Sequence, residues 1–260
     1  MSNNQKYLET LQNINTFVSL MGLNATGAIG EIIAQVILLK AFDNVQIQNK
    51  SGEFSKPISV ELFLKSLFGE ANFKDLNLND TNLLGGLVCF SHFIHKLDDF
   101  KAEDAIQFFV GRCAACQFKK CHESSDLLIP IVLKDNTITY IIIQVKNHQK
   151  FDEGKINDAF LRLKKYEKDI FNIKTYTKPI LILMCLGCEV DIITNKKSRT
   201  NNFYIYGQNL IKSSGLFNED DFNGLKSLLD CDRGDLNTKD FDELVVEQVT
   251  IGSRSKPKTS

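Results

Sequence analysis

The sequence lacks net charge. Its 31 lysines and arginines stand against 32 aspartates and glutamates, which leaves −1 over 260 residues. Such a chain has no overall basic field of the kind that draws nucleic acid to a whole surface, though a local groove can still be basic. It also lacks a long hydrophobic run. The longest, "IIAQVILLKAF" and "PILILMCLGC", fall far short of the roughly 18 residues needed to span a bilayer. The start, "MSNNQKYLETLQNINTF", has no basic segment followed by an apolar core, so it does not look like a secretory leader. No internal repeat is visible. These absences point to an intracellular protein, nuclear or cytoplasmic, with no membrane contact. What is present is ordinary for a globular chain: 43% apolar and 24% charged residues, in a length that suits one large domain or two small ones.

An exported disulfide framework is not expected, because seven cysteines are an odd number and nothing suggests secretion. Cys113 with Cys116 and Cys185 with Cys188 have the Cys-x-x-Cys spacing of zinc arms, and Cys121 and His122 follow closely. Cys185, however, lies inside "ILILMCLG", a buried-strand composition in which cysteine acts as a small hydrophobe. Zinc is therefore not expected.

Along the chain, Tyr7, Leu11, Ile14, Phe17 and Met21 recur at helical spacing. "GLNATG" breaks that pattern. Residues 28–42, "AIGEIIAQVILLKAF", are apolar almost all round, the mark of a buried helix, and hold one acid, Glu31. Residues 56–110 mix short helical patterns with breaks such as "NLNDTN" and "LLGG", and read as a helical insertion. "AIQFFVGRCAACQF" suits strand or helix, and "FSHFIHKL" a helix whose His92 and His95 are surface or core residues.

"DLLIPIVL" and "TITYIIIQV" flank the turn composition "KDN" and predict a β-hairpin covered on both faces. Pro130 resists a central position, since it has no N–H for the ladder, and suggests a bulge. Residues 152–171 predict an amphipathic helix with Asp152 as its N-cap. Ile156, Phe160, Leu163 and Ile170 form its stripe, and Arg162, Lys164, Lys165 and Lys168 its basic flank. "KPILILMCL" and "NNFYIYG" predict strands and "NEDDFNGLKSLLD" a helix. The tail "GSRSKPKTS" has no apolar content and predicts disorder. The fold class expected is α/β or α+β, a sheet layered with helices.

The hairpin places Asp126 at the outer end of its first strand and Gln144 and Lys146 at the outer end of its second. Gln144 and Lys146, two apart, share a face. Asp126 joins them only if the connection is odd in length, such as three residues, or if a bulge intervenes; a two-residue turn would set Asp126 opposite Val145. Converged, a carboxylate and an amide oxygen are hard ligands suited to magnesium. A lysine beside them can orient a water and offset charge on a phosphate. The plainer alternatives stay open. Asp126 can be a strand-start residue, Gln144 can satisfy a backbone group, Lys146 can reach solvent over its packed stem, and Glu31 can pair with Lys146.

An acid opening one strand and a second strand closing on (D/E/Q)-x-K resemble the PD-(D/E)XK nuclease superfamily in a Q-x-K variant. More narrowly, "GEIIAQVILLKAFD", "DLLIPIVL" and "IIIQVKN" look like the nuclease-like domains of fungal proteins associated with Crinkler-type effectors and mobile elements. The resemblance covers about residues 26–190. It implies a restriction-endonuclease-like core, helix, β-meander, helix and strand. That core would occupy about 26–50 and 105–210 of a single domain spanning 1–250, with the helical insertion at about 56–105 and a disordered tail at 251–260. It further implies a magnesium- or manganese-dependent DNA endonuclease. Asp126 would be the principal metal ligand, with Gln144, Glu31 and the Val145 carbonyl completing the shell, and Lys146 would position the attacking water. Lys164, Lys165 and Lys168 would meet DNA phosphates, and a homodimer would serve to cut both strands. The sequence departs from the pattern in three places, the first being the long insertion between Glu31 and Asp126, which obscures the first strand of the meander. Ser125 stands where the family has proline, and Gln144 replaces the middle acid, which lowers the charge available to a metal. The alternative is a nuclease fold that has lost cleavage and binds nucleic acid or a protein partner.

Overall fold

The computed structural model describes residues 26–48, 56–95, 111–118, 125–147, 153–170, 178–188 and 202–230. The helix expected near 3–21, the N-cap Asp152, the side chain of Lys168, residues Cys121, His122 and the tail 251–260 lie outside them.

The described residues form seven helices and a mixed sheet of eight strands. Helix α1 is Thr26–Gln48. Its buried residues Ile29, Ile33, Ala34, Ile37, Leu38, Ala41, Phe42 and Val45 recur at the three- and four-residue steps that stack side chains on one helix face. Strand β1 (Ile58–Ser59) leads into α2 (Val60–Phe68), where the Ser59 hydroxyl accepts from Leu62 N at 3.2 Å. This satisfies one of the amides a helix start leaves unpaired. Helix α2 stops at Gly69, whose φ of 83° suits glycine. Helices α3 (Glu70–Asp75) and α4 (Thr81–Leu84) follow, the latter capped by Asp80 Oδ1 on Leu83 N at 3.0 Å.

Residues 56–95 are therefore not helical throughout. They also supply β1, β2 (Leu87–Val88) and β3 (His92–His95) to the sheet. His92 and His95 sit on a strand rather than a helix, and His92 Nδ1 lies 3.0 Å from Ser91 Oγ at the surface. The ambiguous "AACQF" is strand β4 (Ala114–Gln117), parallel to β3.

Strands β4, β5 (Leu127–Val132) and β6 (Ile138–Lys146) make an antiparallel meander. Helix α5 (Glu153–Ile170) then leads to β7 (Ile180–Cys185), parallel to β6, and β8 (Asn202–Gly207) runs parallel to β7. Helices α6 (Gln208–Ser213) and α7 (Glu219–Asp230) end the described chain. No described helix is long and apolar enough to cross a membrane.

Two cores lie on opposite faces of the sheet. Leu127, Ile129, Ile131, Ile141, Ile143 and Val145 pack with α1, α2, α6 and α7. Leu128, Tyr140 and Ile142 pack with Ile156, Ala159 and Leu163 of α5. This two-sided cover explains why the central strands are nearly continuous in apolar residues rather than alternating. Pro130 is tolerated for a specific reason. On the side away from β6, Leu128 pairs with Cys116 of β4 and Val132 with Leu87 of β2. Pro130 falls between those two partners, where its missing N–H costs no ladder bond. Its pairing with Tyr140 on β6 stays in register, so no bulge is needed there.

Candidate functional site

The hairpin connection decides which residues meet. Leu133 N donates to Thr137 O at 2.8 Å, enclosing the three residues 134–136. Asp135 Oδ1 accepts from Thr137 N at 3.0 Å and from Thr137 Oγ1 at 2.6 Å, and Asn136 takes the left-handed φ of 62° that asparagine tolerates. The odd loop sets Leu127 opposite Ile143, and Asp126 stands just beyond this last pair, at the end of β6 that carries Gln144. The Asp126 main chain is held from both sides. Its N–H donates to Ile143 O and its carbonyl accepts from Phe118 N, both at 2.9 Å. Its side chain turns onto β6, where Oδ2 accepts the Val145 N–H at 2.6 Å. A carboxylate thus takes an amide that would otherwise end the ladder unpaired, and a charge-assisted bond of this length is among the stronger kinds.

Gln144 is 1% exposed, and its Oε1 is buried with no hydrogen-bond donor. An amide oxygen in that state costs about 1–3 kcal/mol, so it is an acceptor available to a cation or a water. Asn147 Oδ1, just past the strand, is in the same condition. Lys146, half-buried, lies beside Cys185 in the parallel register, and Leu186 N donates to its carbonyl at 2.9 Å. The Cys185 thiol is pushed well above the ordinary thiol range, first by the hydrogen bond it shares with Cys188 and then by burial. The Lys146 charge opposes that shift, which places the ammonium near the thiol. Among the described residues Lys146 has no carboxylate within salt-bridge distance.

Glu31 sits differently. Val145 and Ile143 point into the α1 core, so strand alternation sends Gln144 and Lys146 to the α5 side. Glu31 projects from α1, and its Oε2 accepts from Gln117 Nε2 at 2.7 Å. Gln117 shares the α1 side with Ala115, since Ala114, Cys116 and Phe118 belong to the α5 core. Glu31 is therefore held with Gln117 across the sheet from Gln144 and Lys146, and the structural pair is Glu31–Gln117 rather than Glu31–Lys146. Gly30 brings α1 against the strand end: a Cβ there would stand 3.3 Å from Asn147 Cβ and 3.4 Å from Val145 Cγ1.

The oxygens at this strand end are hard, the Asp126 carboxylate and the orphaned Gln144 amide oxygen, whereas Asn147 packs against Gly30 on the α1 side. Those oxygens suit magnesium better than a thiophilic metal. No cluster of three or more His, Cys, Asp and Glu side chains is placed to hold a metal among the described residues. The cysteines do not combine. Cys116 aligns through Leu128 and Ile142 with Leu181. That is three strand spacings, about 14 Å, with Cys185 four residues further along, about 13 Å. Zinc–sulfur bonds near 2.3 Å cannot bridge such a gap, so Cys113, Cys116, Cys185 and Cys188 do not form one tetrahedral site.

Of the basic flank, Arg162 and Lys165 are exposed on α5, and Lys164 lies 5.6 Å from the Phe160 ring centroid. Their helix covers the face to which Gln144 and Lys146 point. Sequence reasoning passed over Gln117, Asn147 and the Lys146–Cys185 neighbourhood. A lone glutamine in the otherwise apolar "AACQF" was the available signal for the first.

No curated protein and no solved structure matches the chain. A family model described as a domain of unknown function, DUF8736, matches residues 3–217, and the chain belongs to that family.

Proposed function

We propose that the chain is a metal-dependent DNA endonuclease of the PD-(D/E)XK type, with a restriction-endonuclease-like core in which α1, the β4–β5–β6 meander, α5 and β7 are the conserved-order elements. The observation that supports this reading is the bond from the Val145 N–H to the Asp126 carboxylate, which holds that acid at the end of β6 that carries Gln144 and Lys146, two residues that share a strand face. Asp126 and Gln144 would hold magnesium or manganese, with the Val145 carbonyl as a further oxygen. When bound, the ion supplies Lewis-acid polarisation of a phosphodiester oxygen. Lys146 orients the attacking water and balances charge on the phosphate. Glu31, held with Gln117 on the α1 side of the sheet, stays outside this shell. Arg162, Lys164 and Lys165 of α5 would supply phosphate contacts, which position a duplex without reading its sequence. The setting is intracellular, and a homodimer would allow both strands to be cut.

A second reading is favoured by two features: the neutral amide at position 144 and the engagement of Glu31 by Gln117. A nuclease fold so arranged would bind nucleic acid or a protein partner without cleaving. Magnesium titration monitored by thermal unfolding, beside a plasmid-cleavage assay, separates the two. The endonuclease shows both a cation-dependent rise in Tm and cutting, whereas the binding module shows neither or only weak stabilisation.

A further inference from the structure

An apolar pocket of about 240 Å³ lies away from this site, lined by Pro57, Leu87, Cys89, Cys113, Pro130 and Val132. It opens where the sheet is interrupted at Pro130, between β4 and β2. Two of its walls are thiols. Cys89 follows β2 and Cys113 precedes β4, and the Ser91 N–H donates to the Cys113 carbonyl at 2.9 Å, pinning the two segments side by side. Both side chains line this one pocket, and both are partly exposed. Cys113 holds a φ of 49°, a left-handed backbone that is uncommon outside glycine, asparagine and aspartate. Strain at such a residue persists only where the surroundings enforce it and is a pointer to function.

We infer that Cys89 and Cys113 are a paired oxidation site that closes to a disulfide in the presence of a peroxide and stiffens the wall of the apolar pocket. Both thiols line the same pocket on segments pinned side by side, and closure requires them to approach to the 2.05 Å sulfur–sulfur bond. The chemistry balances with hydrogen peroxide. One sulfur, as thiolate, attacks a peroxide oxygen, the O–O bond breaks, and a sulfenic acid and hydroxide form; the hydroxide takes up the proton that the thiol lost on ionising and becomes water. The second sulfur attacks the first, the S–O bond breaks and a second water leaves. Two thiols are oxidised by two electrons and the peroxide is reduced by two. Burial and the contact with Cys113 push the Cys89 thiol up to about 12, which matches a pocket that favours neutral sulfur. A disulfide is neutral and a thiolate is not. Oxidation is therefore slow at neutral pH and quickens as pH rises, because the thiolate is the reacting form.

The inference is independent of the nuclease reading. It is tested on the full chain by peroxide treatment, alkylation of remaining thiols, and non-reducing peptide mass spectrometry. The expected product is one cross-linked pair carrying Cys89 and Cys113, lighter by two hydrogens than the separate peptides, reversed by dithiothreitol and accompanied by a rise in Tm. Cys89→Ser and Cys113→Ser abolish both changes. A bis-alkylating bimane, with the bridged peptides mapped by mass spectrometry, joins Cys89 to Cys113 in the wild-type chain and in neither variant, while any Cys185–Cys188 bridge is common to all three, which keeps the test valid if a variant is less stable. Separate alkylation of Cys89 and Cys113 after peroxide, or pairing of either with another cysteine, overturns it.

Discussion

The carboxylate of Asp126 accepts the backbone N–H of Val145 at 2.6 Å across the end of the β5–β6 pair. One side chain thereby both terminates the ladder and stands beside Gln144. The same bond makes Asp126 structural as well as chemical, and the two roles can be separated by substitution. Asp126→Ala leaves a part-buried amide unpaired and is expected to lower stability by about 1.5–3 kcal/mol. Asp126→Asn keeps an acceptor and loses less, yet removes the negative charge a cation requires. Urea unfolding of both variants checks this. Equal stability of Asp126→Ala and wild type would show that the bond contributes nothing.

Gln144 offers the opposite test. Its buried Oε1 has no donor, so Gln144→Leu, similar in size and without the orphan, is expected to be neutral or stabilising by roughly 1 kcal/mol in cation-free buffer. Gln144→Glu places a charge in the same buried position. It is expected to lower Tm in chelator and to recover more than wild type on adding magnesium. A Gln144→Glu chain with no cation response would remove position 144 from the metal shell.

Gly30 controls how closely α1 approaches the strand end. Gly30→Ala brings a methyl to within 3.3 Å of Asn147 Cβ and requires a shift of a few tenths of an ångström. Gly30→Val is expected to cost about 1–3 kcal/mol by overpacking and to displace Val145 and Asn147. Chemical denaturation measures the loss, and a wild-type-like Gly30→Val would contradict the close packing.

Alkaline pH tests the two-sided core. Burial pushes Tyr140 and Tyr204 up to about 12 from an ordinary 10.0. Below pH 10 both folded and unfolded chains hold neutral phenols, and the stabilisation is fully present. Between pH 10 and 12 the unfolded chain ionises while the folded chain does not, so stability falls as pH rises. The Tm decline over that interval is expected to be shallower in Tyr140→Phe, and an unchanged slope would contradict burial of this phenol.

Much of this architecture was legible in the sequence because the strongest elements obey simple periods. Helix α1 is apolar at three- and four-residue steps, α5 is amphipathic, and β5, β6 and β7 are β-branched runs bounded by turn residues. Strands β1 and β2 were not legible, since two residues carry no periodicity and their pairing depends on partners distant in sequence. The strand at His92–His95 was hidden for a related reason: four residues at the edge of a parallel pair fit a helical pattern equally well. The candidate site was half legible. An odd connection was needed to bring Asp126 beside Gln144, and "KDN" supplies it, with Asn136 at the left-handed position. The side of the sheet that Glu31 occupies was not legible. It follows from the phase of α1 against β4, which Gln117 fixes, and no local pattern encodes that.

The most direct test of the account is cleavage of plasmid and branched DNA with magnesium or manganese, comparing wild type with Asp126→Ala, Lys146→Ala and Glu31→Gln. The account predicts metal-dependent cutting that falls by about 10² or more in the first two variants and by less in Glu31→Gln, whose carboxylate is engaged by Gln117. Equal cutting in all four chains, or none in wild type at any metal concentration that raises its Tm, would contradict the endonuclease and leave the fold as a binding module.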